Sequence, residues 1–212
     1  MSLLSCSFRS SLDRFEKDGY IATVMPAILE IPDVRQRVSP LSVEEYHRLD
    51  EFNERGHRTE LIRGILIEKM SKSPLHSSIA KRLYDLIAPL LSKGLVVRRE
   101  DPITLRDSEP EPDIAVVRGS EADFAKAHPT TAELVIEVAV SNPALDRENA
   151  LLYAEALVTE YWIVLGRERR VEVYRQPVTG KYQEMRLFGP DDVLECASVP
   201  SVQIRISELF IG

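Results

Sequence analysis

The sequence predicts an α/β fold in which a mixed β-sheet is flanked by helices, and three observations carry that expectation. Apolar runs of strand length, such as those within "PDIAVV" and "LVIEVAV", alternate with two stretches whose apolar residues recur at helical spacing. After the second of these stretches, "TEYWIVL", "RRVEVYRQ" and "KYQEMRLF" follow one another closely, a spacing that suits antiparallel additions to an α/β core. With 212 residues, 44% hydrophobic and 29% charged, the chain can fill one substantial core.

Taken in order, residues 1–40 read as an N-terminal arm. Its first stretch, "MSLLSCSFRSSLDRFEKDGY", is serine-rich but carries Asp13, Glu16 and Asp18, which makes it unlike a secretory or transit peptide; Met25 offers an alternative start. The domain then occupies residues 41–212. In "SPLSVEEYHRL", Ser42 with Glu45 three residues later forms a capping-box pattern that opens a short helix. "TELIRGILIEKM" predicts two strand segments around Gly64. Ile79, Leu83, Leu86, Ile87, Leu90 and Leu91 lie at helical spacing, so a long amphipathic helix is expected to run to Gly94 with a bend at Pro89. "LVVRRE", "ITLR", "DIAVV" and "AELVIEVAV" read as strands, the last two apolar enough to be central. "NPALDRENALLYAEAL" is a helix, and the tail "SVPSVQIRISELFIG" closes with a strand or short turn.

A net charge of −7 argues against broad capture of nucleic acid by phosphate neutralisation alone. The pairs Arg98–Arg99 and Arg169–Arg170, with Arg167 nearby, could line a local basic groove, although a solvated surface is the commoner origin of such pairs. Cys6 and Cys196 lie far apart without metal-ligand spacing, which makes a reducing cytoplasm the default. No apolar run approaches the ~20 residues needed to span a bilayer, so no membrane partner is expected.

The chemistry lies in acids. Asp113 stands at the head of one apolar strand, Glu137 interrupts another, and Glu60 begins the alternation in "TELIRGILI". A lone carboxylate beside a strand is more often a surface group or local cap. Glu137 resists that reading, because Leu134, Val135, Ile136, Val138 and Val140 surround it, and a buried carboxylate is tolerated when paired or bound to a cation. Hard oxygen ligands on neighbouring strands, helped by a backbone carbonyl and water, suit Mg²⁺. His76, Tyr161 and Trp162 read as helix-start and packing residues, and Ser141 lacks a histidine partner that would make it a nucleophile.

"ELIRG", "MSKSPLH", "PDIAVV", "LVIEVAVSN", "DRENALLYAEA" and "EYWIVL" occur in that order between Leu41 and Arg175. Together they resemble the Uma family of restriction-endonuclease-like proteins, a branch of the PD-(D/E)XK nuclease superfamily. The resemblance implies a restriction-endonuclease-like mixed sheet flanked by helices, a site for Mg²⁺ or Mn²⁺ at Asp113, Glu137 and Ala139, and DNA as substrate; a homodimer is one assembly open to it. Carried over residue by residue, Asp113 is the "PD" acid, Glu137 the (D/E) of the next strand, and Glu60 the acid of the N-terminal part. Ala139 stands where the superfamily lysine usually lies, and Asn149 where the family relocates it, leaving Asn149 or Arg147 as its substitute. Leu157 replaces a glycine expected before "VTEYW". Two functions follow from these departures. One is a metal-dependent endonuclease that hydrolyses DNA phosphodiester bonds, weakened at Asn149; the other is a catalytically inactive nucleic-acid-binding or protein-interaction module.

Overall fold

A computed structural model describes residues 31–50 and 58–210. The first 30 residues of the expected arm, with Met25, lie outside the described residues. The chain divides into two units, Met1–Ser39 and Pro40–Gly212. In the first, the described residues contain a short helix, α1 (Pro32–Arg35).

The second unit opens with α2 (Val43–Asp50), capped as the sequence predicts: Glu45 N–H donates to Ser42 Oγ at 3.2 Å, and Ser42 N–H donates to Glu45 Oε2 at 2.8 Å. Strands β1 (Thr59–Ile62) and β2 (Ile65–Glu68) form a hairpin in which Ile62 pairs with Ile65, leaving Arg63 and Gly64 as a two-residue turn. Both turn residues have positive φ, 53° and 73°, as a turn matching the strand twist requires. Glycine is also needed sterically, because a Cβ at position 64 would lie 2.3 Å from Pro40 Cβ.

Helix α3 (Pro74–Ile87) begins at Ser73, whose side chain accepts from His76 N–H, with Pro74 at the first helical position where no N–H is needed. It stops short of the expected end at Gly94. Pro89 has no N–H to continue the ladder, and the chain tightens into a 3₁₀ turn at Ala88–Leu90.

Six strands make the main sheet in sequence order: β3 (Leu95–Arg98), β4 (Ile114–Arg118), β5 (Leu134–Ala139), β6 (Glu160–Leu165), β7 (Arg170–Val178) and β8 (Lys181–Phe188). Neighbours are antiparallel except β5 and β6, which are parallel and joined through α4 (Ala144–Glu155). A small hairpin of β9 (Val193–Glu195) and β10 (Gln203–Arg205) follows, and 3₁₀ turns lie at Glu121–Phe124 and Ile206–Leu209. Alternation along the strands sends side chains to two cores. Ile114, Ile136 and Trp162 pack with Ile79, Leu83 and Ile87 of α3, while Val135, Tyr161 and Ile163 pack with Ala150, Leu152 and Tyr153 of α4.

Two further expectations need correction. "ITLR" is irregular rather than a strand: Ile103, Thr104 and Leu105 donate singly to Pro110, Pro129 and Ser108, in a stretch where Pro102, Pro110 and Pro112 cannot donate to a ladder. Arg98 is not part of a surface groove, since it is buried with its guanidinium 5.2 Å from the Phe124 ring centre.

Candidate active site

The antiparallel register that pairs Ile114 with Ile136 brings Asp113, the residue before β4, beside Glu137 on β5. Each acid is bound to backbone next to the other: Asp113 N–H donates to Glu137 Oε2 at 3.2 Å, and Val138 N–H donates to Asp113 Oδ2 at 2.8 Å. Glu60 arrives from β1 because that strand continues against the chain ahead of β4. Glu109 N–H donates to the Leu61 carbonyl at 2.7 Å, and two residues on, Glu111 N–H donates to Glu60 Oε1 at 3.0 Å. Asp146 and Asn149, three apart and hence on one face of α4, form a further wall. The result is an acidic cleft of about 440 Å³.

Cations enter the cleft from the segment joining β2 to α3. Lys69 Nζ donates to Glu60 Oε1 and to the Glu111 carbonyl, and Lys72 Nζ donates to Asp113 Oδ1 at 2.7 Å. His76, in the first turn of α3, places Nε2 3.0 Å from Asp113 Oδ2. It is thus both a helix-start residue and a neighbour of the site. Tyr153 on α4 donates its hydroxyl to Glu137 Oε1 at 3.0 Å.

The acids respond unequally to this setting. Burial pushes the Asp113 carboxyl upward, but the hydrogen bond and charge of His76, then those of Lys72, outweigh it and hold the group below its usual range. Glu137 goes the other way. Burial first, then the charges of Asp113, Asp146 and Glu60, push its carboxyl well above the usual range. Burial and the same Asp113 and Glu60 charges push Asp146 up to about 6. Burial and the Glu137 charge push the Tyr153 phenol well above its ordinary value, which keeps it a donor.

Of the residues singled out in the sequence, Glu60, Asp113, Glu137, Ala139 and Asn149 line one cleft. Arg147 does not join them. It faces β7, where its guanidinium makes three contacts of 3.2 Å or less with Glu172. Asn149 is buried, and its Oδ1 has no hydrogen-bond partner among the described residues. The Ala139 carbonyl already accepts from Gly166 N–H at 2.8 Å. Lys69, Lys72, Asp146 and Tyr153 were not anticipated as site residues. The signal for Lys69 was the hairpin itself, since a period of two puts Lys69 on the same face as Ile67, which pairs with Glu60.

Among the described residues, no group of three or more His, Cys, Asp or Glu side chains is arranged to hold a metal ion. The donor set nevertheless fits a divalent cation. Asp113 and Glu137 offer hard carboxylate oxygens, and the same cleft is lined by Asn149, whose buried amide oxygen has no partner among the described residues. A second cavity of about 390 Å³, beside Arg63, lacks this character because its charges are paired: Arg63 grips Glu155 through both guanidinium NH₂ nitrogens.

The family model described as "Putative restriction endonuclease", Uma2, matches residues 43–207. The chain belongs to the Uma2 family. A crystal structure described as that of a putative nuclease belonging to DUF820, from Anabaena variabilis ATCC 29413, superposes with a TM-score of 0.69 at 23% sequence identity. The match covers 81% of this chain and 98% of that one, and it shows a shared fold. No curated protein matches the chain. Against the Uma pattern, Leu157 has a clear cost, since it follows α4 with φ of 58° and is 66% exposed. A left-handed residue is what glycine supplies after a helix, and a branched side chain there costs about 1–2 kcal/mol.

Proposed function

We propose that this Uma2 protein is a metal-dependent endonuclease that hydrolyses DNA phosphodiester bonds. The observation that carries the reading is the cross-bonded pair of Asp113 and Glu137 at one end of β4 and β5, opening into a cleft that also holds the unpartnered Asn149 oxygen. Asp113 and Glu137 would hold Mg²⁺ or Mn²⁺, with Asn149 Oδ1 as a neutral donor nearby. When bound, such an ion neutralises phosphate charge and lowers the pKa of an attacking water.

The remaining work falls to the chain. Val138 N–H and His76 fix Asp113 through Oδ2, and Tyr153 fixes Glu137 through Oε1. Lys69 holds Glu60 in place at the cleft wall. Hydrolysis forms a bond from a water oxygen to phosphorus and breaks the bond from phosphorus to a sugar oxygen. The water gives up a proton and the leaving oxygen gains one. Asp146, with its carboxyl near the working pH, is suited to accept the water's proton. The cytoplasm suits this reading, because the buried Cys196 is a free thiol. No helix among the described residues is long and apolar enough to cross a membrane.

The absence of a lysine at Ala139 and Asn149 favours the second reading, a non-catalytic module on the same fold. Assays on single-stranded, double-stranded and branched DNA with Mn²⁺ and Mg²⁺ separate the two. The nuclease reading expects cleavage that chelation abolishes. It also expects Asp113→Asn and Glu137→Gln each to cut the rate by about 10²-fold or more and to weaken Mn²⁺ binding in calorimetry. Unchanged Mn²⁺ affinity in both variants would remove these acids as ligands. Cleavage that persists in chelator would sink metal dependence.

A further inference from the structure

Six carboxylates line the cleft, on Glu60, Glu68, Glu111, Asp113, Glu137 and Asp146, while neither position 139 nor position 149 supplies a positive charge. Phosphate brings yet more negative charge into such a space, so a cation of the chain has to face it. Arg167 lines the cleft as well, but the two lysines that enter from the segment between β2 and α3 touch its acids directly, and they are differently held.

Lys69 is committed. Its Nζ contacts Glu60 Oε1, the Glu111 carbonyl at 3.0 Å and Glu111 Oε2 at 3.2 Å, which accounts for its three protons, and the side chain is 13% exposed. Lys72 has looser ties. Its nearest acceptor is Asp113 Oδ1 at 2.7 Å, and its other partner is Glu100 Oε1 at 3.4 Å, a residue that does not line the cleft.

The Asp113 carboxylate explains why this matters. Val138 N–H at 2.8 Å and His76 Nε2 at 3.0 Å already occupy Oδ2. Oδ1 is therefore the oxygen left to bind a cation, and Lys72 occupies it. A divalent ion and an ammonium cannot both sit against one carboxylate oxygen without strong mutual repulsion. Lys72 has a flexible four-carbon stem and keeps its tether to Glu100, so it can leave Oδ1 and stay at the cleft.

We infer that Lys72 holds the cation position of Asp113 in the metal-free protein and, when a divalent ion takes that position, turns to the scissile phosphate as the site's positively charged catalytic residue. The inference rests on the nuclease reading and assigns to the β2–α3 segment the charge that β5 and α4 lack. Asn149 is then free to act as a neutral oxygen donor.

The test uses the full chain with Lys72→Met, which keeps the stem and removes the charge, and Lys72→Arg, which restores a cation. Three quantities are read: Mn²⁺ affinity by calorimetry, binding of a short oligonucleotide in Ca²⁺, and Mn²⁺-dependent kcat and KM. In Lys72→Met, Mn²⁺ binding is expected to tighten severalfold because a competitor is gone. Oligonucleotide binding should weaken by about tenfold and kcat fall by about 10²- to 10³-fold, with Lys72→Arg recovering part of both. Weaker Mn²⁺ binding in Lys72→Met would make the lysine a support for Asp113 and overturn the inference. Unchanged oligonucleotide binding would overturn it as well. If the wild-type protein cleaves no DNA, the nuclease reading fails on its own. Lys72-dependent oligonucleotide binding would then still uphold the phosphate contact, and its absence would refute it.

Discussion

Asn149 is the residue at which sequence and structure speak most differently. Against the family pattern it reads as a lysine lost, yet its side chain is buried in the cleft with an oxygen that no described residue satisfies. A buried polar atom left without a partner costs about 1–3 kcal/mol, so it persists where something else uses it. Asn149→Leu is close in volume and removes that oxygen. Thermal melts in chelator should show the variant to be more stable than wild type, by about 1 kcal/mol. Calorimetry should show weaker Mn²⁺ binding. Loss of stability in the variant would mean that the amide is satisfied within the fold. Such a role could not be read from sequence, because whether an asparagine has a partner depends on what α4 packs against, and β7 and β8 supply much of that from further along the chain.

Elements were legible where local chemistry decided them. Ser42 and Glu45 satisfy each other across one helical turn, and Gly64 sits in a turn that only two residues make, so α2 and the β1–β2 hairpin could be anticipated. The apolar runs of β4, β5 and β6 gave themselves away because both faces of these strands are covered. Failures came where tertiary bonding replaced a ladder. "ITLR" alternates like a strand but is held by single bonds to Pro110, Pro129 and Ser108, and β9 is too short to show a period. The site divides along the same line. Asp113 and Glu137 were visible because charge interrupts or heads an apolar run, whereas nothing in the local pattern separates Lys69 and Lys72 from ordinary solvated charges. What marks them is the path of the chain between β2 and α3, which turns both into the cleft.

For the whole molecule, gathering acids in one cleft ties stability to pH. The Asp146 carboxyl is raised to about 6 from an ordinary value of 3.8, with burial first and neighbouring carboxylates second as causes. Over the window between those values the folded chain binds more protons than the unfolded chain, so stability falls as pH rises through it. The lowered carboxyl of Asp113 works in the opposite sense, and its contribution is lost only at more acidic pH. In chelator, wild-type Tm should therefore drop more than that of Asp146→Asn between about pH 4.5 and about pH 7. Parallel slopes for the two proteins would show that Asp146 titrates normally. The acids of the cleft also come from separate places: β1, β2, the segment leading into β4, β5, and the helix that crosses from β5 to β6. Pairings so distant along the chain close late, after most of the loop entropy has been lost. The cleft is then absent from the folding nucleus, and a divalent ion has nothing to grip until the barrier has been crossed. Mn²⁺ should act as a lock rather than a guide: in stopped-flow experiments it should slow unfolding and leave the refolding rate nearly unchanged. Accelerated refolding would mean that the acids meet before the sheet closes.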